Sequence, residues 1–242
     1  MGVFKDRGLV LKEIASGEYD KAVIALLEER GKARIFVKGA KNPKSKLNFC
    51  SGLFCWSDFV MYDGNGFLSL NQASLIDNHY AIRNDYDSFL RASFMLELAE
   101  KILPAQAGPG PVLGLLLKTF AAFCRPGAGN SEFVFNVFLL KLLEAEGYAP
   151  EFGLCSSCRN EVSGRAFIAE AGLVCENCAA GLGRLPRVDR EALGGLRYIF
   201  ERDLDSLYRL NAKKEILSGL SAITSFLVEA NFDVKLKSGG LF

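Results

Sequence analysis

The sequence predicts a chain with two domains, a small five-stranded β-barrel followed by an all-α domain with a cysteine-rich insert. Three observations lead to this prediction. The first 80 residues contain five short apolar or alternating runs, separated by turn residues. Beyond residue 80, apolar residues recur at helical spacing, and two Cys-x-x-Cys pairs interrupt that helical part. Strands followed by helices favour separate domains over a mixed α/β sheet.

The composition is that of a globular protein. Of the 242 residues 50% are hydrophobic and 24% are charged, and the net charge of +1 excludes a histone-like or strongly acidic chain. The longest uncharged run, between Lys101 and Lys118, has 16 residues, whereas a membrane-spanning helix needs roughly 20. The first residues lack the apolar core of a signal peptide. We therefore expect a cytoplasmic protein without a membrane segment.

Five strands are predicted for the N-terminal domain, residues 1–80. They cover residues 10–15, 22–27, 33–37, 53–62 and 67–76. Gly31 lies in the turn between the second and third runs, at a position that requires positive φ. Five strands in about 75 residues are typical of an OB-fold barrel, and an SH3-like barrel fits almost as well.

Five helices are predicted for the C-terminal domain, residues 81–242. They cover residues 86–103, 112–123, 132–146, 189–202 and 213–230. Pro104 ends the first helix, and Pro111 suits the first position of the second. The third helix is strongly apolar, which predicts a central place in the core.

The insert, residues 153–183, carries the strongest motif. Cys155 and Cys158 form one Cys-x-x-Cys pair, and after sixteen residues Cys175 and Cys178 form the other. Two such pairs are typical of a structural Zn²⁺ site, because four thiolates complete a tetrahedron and leave no position for water. The other interpretations are buried or redox-active cysteines, or an iron–sulfur cluster. The total of seven cysteines is odd and no export signal is evident, which favours reduced thiols over disulfides. We expect the remaining three, Cys50, Cys55 and Cys124, in the core.

A local excess of positive charge marks the N-terminal domain. Seven basic residues fall between Arg30 and Lys46, and no acidic residue follows before Asp58. The whole first 80 residues hold 11 basic and 9 acidic residues, a net charge of only +2. Such a stretch on a small barrel suits the phosphate backbone of nucleic acid. The alternative interpretation is a solvated hairpin and loop.

Aromatic residues are interleaved with the basic ones, namely Phe36, Phe49, Phe54 and Trp56. They are either exposed rings on which bases stack or core residues of the barrel. Phe36 shares a strand face with Arg34 and Lys38, so we expect Ile35 and Val37 to point inward. The candidate nucleic-acid-binding residues are Arg34, Phe36, Lys38, Lys41, Lys44 and Lys46.

Enzyme motifs are not evident in the sequence. Lys44-Ser45 resembles the end of a P-loop, but Lys38 and Pro43 replace the two glycines that the motif needs. His79 is the only histidine, and we expect it on the surface or in a linker. We therefore expect no enzymatic activity.

Two sets of motifs resemble a known family. The N-terminal set is Val37-Lys-Gly-Ala-Lys41 followed by Pro43-Lys-Ser45. The C-terminal set is Phe138-Leu-Leu-Lys-Leu-Leu143, then Gly147-Tyr-Ala-Pro150, then the first cysteine pair. In order and spacing they resemble the RecO family of bacterial recombination mediators, over nearly the whole chain. Arg159 departs from the family pattern, in which glycine is common after the first cysteine pair.

The resemblance implies an OB-fold, a helical domain with an inserted zinc ribbon, and a role in recombinational DNA repair near the bacterial nucleoid. Family members bind single- and double-stranded DNA, anneal complementary strands and bind the tail of single-strand-binding protein. With RecR they load RecA onto strands coated by that protein. Lys38, Lys41 and Lys44 match the family's basic motif. The competing classes are another OB-fold and zinc-ribbon factor in transcription or RNA binding, and a metalloenzyme, which a four-cysteine site disfavours.

Overall fold

The structure is a computed structural model of the chain. It describes residues 2–42, 44–64, 66–105, 108, 110–125, 130–162 and 165–232, so Pro43 of the N-terminal motif lies outside the described residues. Contacts divide the chain into two compact units, residues 1–114 and 115–242.

The N-terminal unit contains a closed barrel of five strands: β1 Gly2–Ser16, β2 Asp20–Leu27, β3 Gly31–Val37, β4 Trp56–Gly64 and β5 Phe67–Asp77. Neighbouring strands follow the order β1-β2-β3-β5-β4, and β4 pairs with β1 to close the barrel. These pairs are antiparallel except for β3 with β5. This is the five-stranded barrel of the OB type, which confirms the first of the two predicted barrels.

The first strand begins at Gly2, eight residues before its predicted start. Charged residues from Lys5 to Arg7 conceal this half of the strand in the sequence. The carboxylate of Asp6 is nevertheless buried, because it accepts hydrogen bonds from the backbone N–H groups of Glu29 and Arg30 at 3.2 and 3.3 Å. Burial of a polar group costs little free energy when it is hydrogen-bonded in this way. A charged residue can therefore occupy a buried strand position.

The barrel core is formed by buried residues of the strands, together with Ala40 and Cys55 from the β3–β4 connection. It contains Val10, Val23, Ala25, Leu27, Ile35, Val37, Ala40, Cys55, Phe59, Met61 and Leu70. Gly31 has a φ of +70°, as predicted for the β2–β3 turn. Cys50 and Cys55 are buried as predicted, and burial raises the pKa of both thiols, whereas Cys124 is only half-buried.

Three helical elements complete the N-terminal unit as far as α2. They are α1 Lys46–Cys50, a 3₁₀ turn at Tyr80–Asn84 and α2 Tyr86–Ile102. The bounds of α2 confirm the prediction to within one residue, and Asp85 caps it by accepting a 2.8 Å hydrogen bond from the N–H of Ser88. The sequence does not predict α1, because five residues are too few to show helical periodicity.

The second helix packs against β1 and the 3₁₀ turn, within the N-terminal unit. The predicted boundary between residues 80 and 81 follows the change from strands to helices, and it stays a prediction about domains. None of the described helices is long and apolar enough to cross a membrane.

The remaining helices are α3 Val112–Phe123, α4 Ser131–Ala145, α5 Glu176–Ala179, α6 Arg190–Glu201, α7 Leu204–Leu207 and α8 Lys214–Asn231. The four long ones confirm the predicted helices to within one residue at either end. The fourth, α4, packs against α6 and α8 and is buried along most of its length, as its apolar sequence predicts. Asn136 ties α4 to α8, since its Nδ2 donates a 2.9 Å hydrogen bond to Oγ of Ser221.

A three-stranded sheet lies between α4 and α6 in the chain. Its strands are β6 Ala166–Ala169, β7 Gly172–Cys175 and β8 Arg187–Val188, in the order β7-β6-β8. The short α5 follows β7 directly. The sheet thus extends past residue 183, where the sequence predicts the insert to end.

Candidate nucleic-acid interface and metal centre

The five cations predicted to bind nucleic acid all lie on the surface. We call Arg34, Lys38, Lys41, Lys44 and Lys46 the basic segment, and each of them is exposed. Arg34 lies on β3. The lysines at 38, 41 and 44 follow the end of that strand, and Lys46 begins α1. The segment therefore runs continuously from the barrel wall into the β3–β4 connection, with its charge facing solvent.

The turn after β3 is tied to the β1–β2 loop and the first residue of β2 by three hydrogen bonds. Oδ1 of Asp20 accepts from the N–H of Gly39 at 2.7 Å, and the N–H of Lys41 donates to the carbonyl of Tyr19 at 2.9 Å. The ammonium group of Lys41 also donates to the carbonyl of Gly17 at 2.6 Å. The backbone that carries Lys38 and Lys41 is therefore fixed, which reduces the entropy lost when a ligand binds.

An ion pair between the buried Lys21 and the exposed Glu13 supports the other end of the segment. Nζ of Lys21 lies 2.8 Å from Oε2 of Glu13 and 3.4 Å from Oδ1 of Asn48, which belongs to α1. The second oxygen of Glu13 accepts a 2.8 Å hydrogen bond from the N–H of Leu53. One carboxylate thus connects β1 and β2 to the β3–β4 connection.

The four aromatic residues divide evenly between the surface, where Phe49 is 61% exposed, and the core. Phe36 is 38% exposed while Ile35 and Val37 are fully buried, which confirms the predicted alternation of β3. Phe54 and Trp56 are buried, so for these two the core interpretation is correct.

An aromatic groove opens beside Arg34 and Phe36 on the outer wall of the barrel. Its volume is about 670 Å³, and Tyr62, Phe67 and Ser69 also line it. In OB-folds the face formed by strands 2 and 3, with the loops next to it, binds oligonucleotides. Tyr62 and Phe67 are not among the residues predicted from the sequence, although their position at either end of the Gly-rich β4–β5 turn is a usable signal.

His79 differs from its prediction in one respect. It lies in the linker between β5 and the 3₁₀ turn, as expected, but it is buried rather than on the surface. Its Nδ1 lies 2.8 Å from the carbonyl oxygen of Phe54. The ring therefore connects the linker to the segment before β4, which is a structural role.

The four cysteines of the insert converge on one point. All four Sγ atoms lie within 4.8 Å of one another, and those of Cys158 and Cys175 are 3.9 Å apart. A tetrahedron with Zn–S bonds of about 2.3 Å has edges of about 3.8 Å, so the cluster has the size that a metal ion requires. Cys155 is fully buried, whereas Cys158 is exposed at the edge of the insert.

Hydrogen bonds in the cluster shift the pKa values of two of its thiols in opposite directions. Backbone N–H groups of Cys158 and Cys175 lower the pKa of the Cys155 thiol to about 6. The pKa of Cys178 rises to about 12, because its thiol hydrogen-bonds to the sulfurs of Cys175 and Cys158. A divalent cation at the centre would favour the thiolate form of all four residues. The cluster can hold a metal ion, as its donor set predicts.

Arg159 follows Cys158 at the position where glycine is common in the family that the sequence resembles. Arg159 has a φ of +62°, a conformation that glycine adopts without strain, and its guanidinium forms a 2.6 Å ion pair with Glu151. The departure from the family pattern therefore leaves the turn itself intact.

Comparison with known families covers nearly the entire chain. Residues 1–79 match the family model for the N-terminal part of recombination protein O, and residues 83–239 match the model for its C-terminal part.

Curated relatives are similar over the same length. The DNA repair protein RecO of Acetivibrio thermocellus is 26% identical over 226 residues, which cover 93% of this chain and 90% of that protein. The protein of the same name from Desulforamulus reducens is 29% identical over 98% of this chain and 93% of the relative. That of Clostridium novyi is 27% identical over 100% of this chain and 94% of the relative.

Proposed function

Because the chain belongs to the RecO family, we propose that it is a DNA-binding recombination mediator that acts without catalysing a reaction. It binds single- and double-stranded DNA through the basic segment, anneals complementary strands and, with RecR, helps to load RecA. It acts in the cytoplasm at the bacterial nucleoid. The observation that carries the proposal is the set of five exposed cations on β3 and the connection after it in an OB barrel, where hydrogen bonds fix the turn with Lys38 and Lys41.

The chemistry of the segment supports binding to phosphates without sequence selection. Lysine and arginine side chains replace the counterions that condense on DNA, and the released ions drive association. A surface that neutralises phosphates on two strands also lowers the repulsion between them, which supports annealing. Neither step forms or breaks a covalent bond.

Titration with labelled single-stranded DNA, duplex DNA and RNA of equal length tests the binding proposal. We expect tight, salt-dependent binding to both DNA forms. A clear preference for RNA would instead favour the alternative of an RNA-binding OB-fold factor. Annealing of complementary strands coated by single-strand-binding protein then tests the mediator function, and no acceleration over the protein-free rate would contradict it.

The tail of single-strand-binding protein is the proposed partner of the C-terminal unit. This acidic and apolar peptide suits a shallow pocket of about 400 Å³ beside Phe152 and Phe200, whose ring centroids are 5.4 Å apart. Arg197 and Glu201 both line this pocket, and the guanidinium of Arg197, which donates a 2.6 Å hydrogen bond to the carbonyl of Phe152, is its positive group. Calorimetry with a synthetic tail peptide should show binding that Arg197→Ala weakens several-fold. Absence of heat at high micromolar peptide would contradict this partner.

We also propose that the cysteine cluster holds one structural Zn²⁺. Cys155, Cys158, Cys175 and Cys178 would supply all four ligands, as the size of the cluster and its thiolate chemistry support. The ion would join β7 and α5 to the loop that carries the first cysteine pair.

A further inference from the structure

We propose that the aromatic groove is a base-binding site that makes the chain favour single-stranded over double-stranded DNA. The proposal rests on the function proposed above and adds Tyr62 and Phe67 to the DNA-binding residues. Phosphate contacts alone do not require unpaired bases, whereas stacking on aromatic rings does.

The strand register brings two rings to either side of a small residue. Ser69 on β5 pairs with Phe36 on β3 and with Tyr62 on β4. Neighbouring strands lie about 4.8 Å apart, so the backbones of the two aromatic residues are roughly 10 Å apart on the same face. The small serine side chain leaves space between them, which forms the floor of the groove.

A second row extends the groove along the strands. Arg34 and Phe67 lie two residues before Phe36 and Ser69, and the period of a strand places them on the same face. Among the described residues that line the groove, Arg34 is the only charged one. The surface therefore combines aromatic rings with a single cation.

The rings of the groove are accessible to solvent. Phe36 and Tyr62 are each 38% exposed, and Phe67 is 81% exposed. An apolar patch that faces solvent typically marks a binding surface, because its exposure to water costs free energy. The exposed faces of these rings are available for stacking.

Charge identifies the occupant as a nucleic-acid strand. The basic segment includes Arg34 in the groove and continues with Lys38 immediately after β3. A single strand whose phosphates contact these cations would have its bases beside Phe36 and Tyr62. In a duplex the faces of the bases are stacked on one another, so a duplex can use the cations but not the rings.

The test compares single-stranded and duplex DNA with the variant Tyr62→Leu/Phe67→Leu. Leucine keeps apolar bulk but has no aromatic face. We expect the Kd for an oligo(dT) strand to rise roughly 5- to 150-fold, and the Kd for a duplex of equal length to change less than about twofold. The log–log salt slope should stay unchanged for both ligands. Tyr86→Leu is the matched control, because Tyr86 is exposed on α2 and does not line the groove.

Two results would overturn the base-binding site while leaving the proposed function intact. One is an unchanged Kd for the single strand, and the other is an equal loss for strand and duplex. Substitution of the basic segment is a separate test of the proposed function, because it should abolish salt-dependent binding of both DNA forms. Unchanged salt-dependent binding after that substitution would contradict the proposed function.

Crosslinking of the unmodified chain keeps the proposal testable if the leucine variant unfolds. An oligonucleotide with 5-iododeoxyuridine should crosslink on irradiation to Tyr62, Phe67 or Phe36, as located by mass spectrometry. Crosslinks found solely outside the groove would contradict a base-binding site.

Discussion

The carboxylate of Asp20 accepts a 2.7 Å hydrogen bond from the backbone N–H of Gly39, between the lysines at 38 and 41. Asp20 is the first residue of β2, and Gly39 lies in the turn after β3. A negative side chain thus holds the turn that carries part of the basic segment. If the carboxylate acts by positioning this turn, its removal should weaken DNA binding. If it acts only through long-range electrostatics, its removal should strengthen DNA binding.

Asp20→Ala should weaken DNA binding, although it removes a negative charge from the side of the barrel that carries the basic segment. Without the carboxylate the turn loses its anchor, and ordering Lys38 and Lys41 then costs entropy. We expect a two- to fivefold higher Kd by anisotropy titration, with a lower melting temperature, since a hydrogen bond to a charged group stabilises by about 1.5–3 kcal/mol.

Glu18→Ala is the control for charge, because Glu18 is exposed in the β1–β2 loop next to Asp20. Its removal should leave the Kd unchanged or slightly lower it, as expected from electrostatics alone. If both variants bind DNA more tightly, the hydrogen bond to Gly39 has no role in positioning.

Replacing Lys41 and Lys44 by alanine should change the salt dependence of binding. Each lost phosphate contact on single-stranded DNA lowers the magnitude of the log–log slope by about 0.7, so the double variant should lose about 1.4. Four or five contacts in the unmodified chain correspond to a slope of roughly −3 to −4. Lys5→Ala/Lys12→Ala removes the same charge from β1 and should leave the slope unchanged. An equal slope in the double lysine variant would place the DNA surface elsewhere.

The barrel and the long helices could be predicted from the sequence because their signals are local. Alternation, turn glycines and helical spacing define β2 to β5 and α2 to α4 within a few residues. The N-terminal half of β1 could not be recognised in this way. Asp6 is buried there only because residues 29 and 30, distant in sequence, donate hydrogen bonds to it.

The cysteine cluster and the aromatic groove also differ in whether their sequence signals are local. Each cysteine pair is a local motif whose spacing already specifies two ligands, so the cluster could be predicted. The groove depends on the register of β3, β4 and β5, which brings Phe36 and Tyr62 to either side of Ser69. No spacing along the chain records that register, since β3 and β5 are separated by about 30 residues and pair in parallel.

Lys21→Met should destabilise the barrel more than the loss of an exposed ion pair would. The ammonium of Lys21 is buried against Glu13, and methionine leaves that carboxylate without its cation. Because Glu13 remains partly hydrated, we expect a loss of about 1–2 kcal/mol in denaturant unfolding, less than for a fully buried pair.

The exposed pair between Arg7 and Glu28 offers the comparison, since the two side chains are 52% and 44% exposed. Arg7→Met should cost at most about 0.5–1 kcal/mol. Adding Glu13→Gln to Lys21→Met should recover part of the loss, because the unpaired charge is then removed. Equal stability of the two methionine variants would mean that burial of Lys21 has no energetic consequence.

The purified protein should contain one zinc ion per chain, and Cys155→Ser should reduce that content. Serine removes the most buried of the four thiolates and leaves a weakened three-ligand site. Metal analysis and thermal melting should therefore show lost zinc and a lower melting temperature, because metal binding contributes to folding. Cys124→Ser, outside the cluster, should retain the metal. Iron in place of zinc, or disulfides between these cysteines under reducing conditions, would contradict a structural zinc site.

Gly172→Ala should damage the metal centre although residue 172 is not one of its ligands. Gly172 has a φ of +135°, and a Cβ atom there would lie 2.6 Å from the backbone nitrogen of Glu151 and closer still to its carbonyl oxygen. Leu173 donates a 2.9 Å hydrogen bond to that same carbonyl, so the strand that leads to Cys175 would have to shift. We expect weaker zinc retention against a chelator. Gly181→Ala should retain zinc normally, because Gly181 has open space around it. Equal zinc release from the two variants would show that the close approach of β7 to Glu151 does not support the cluster.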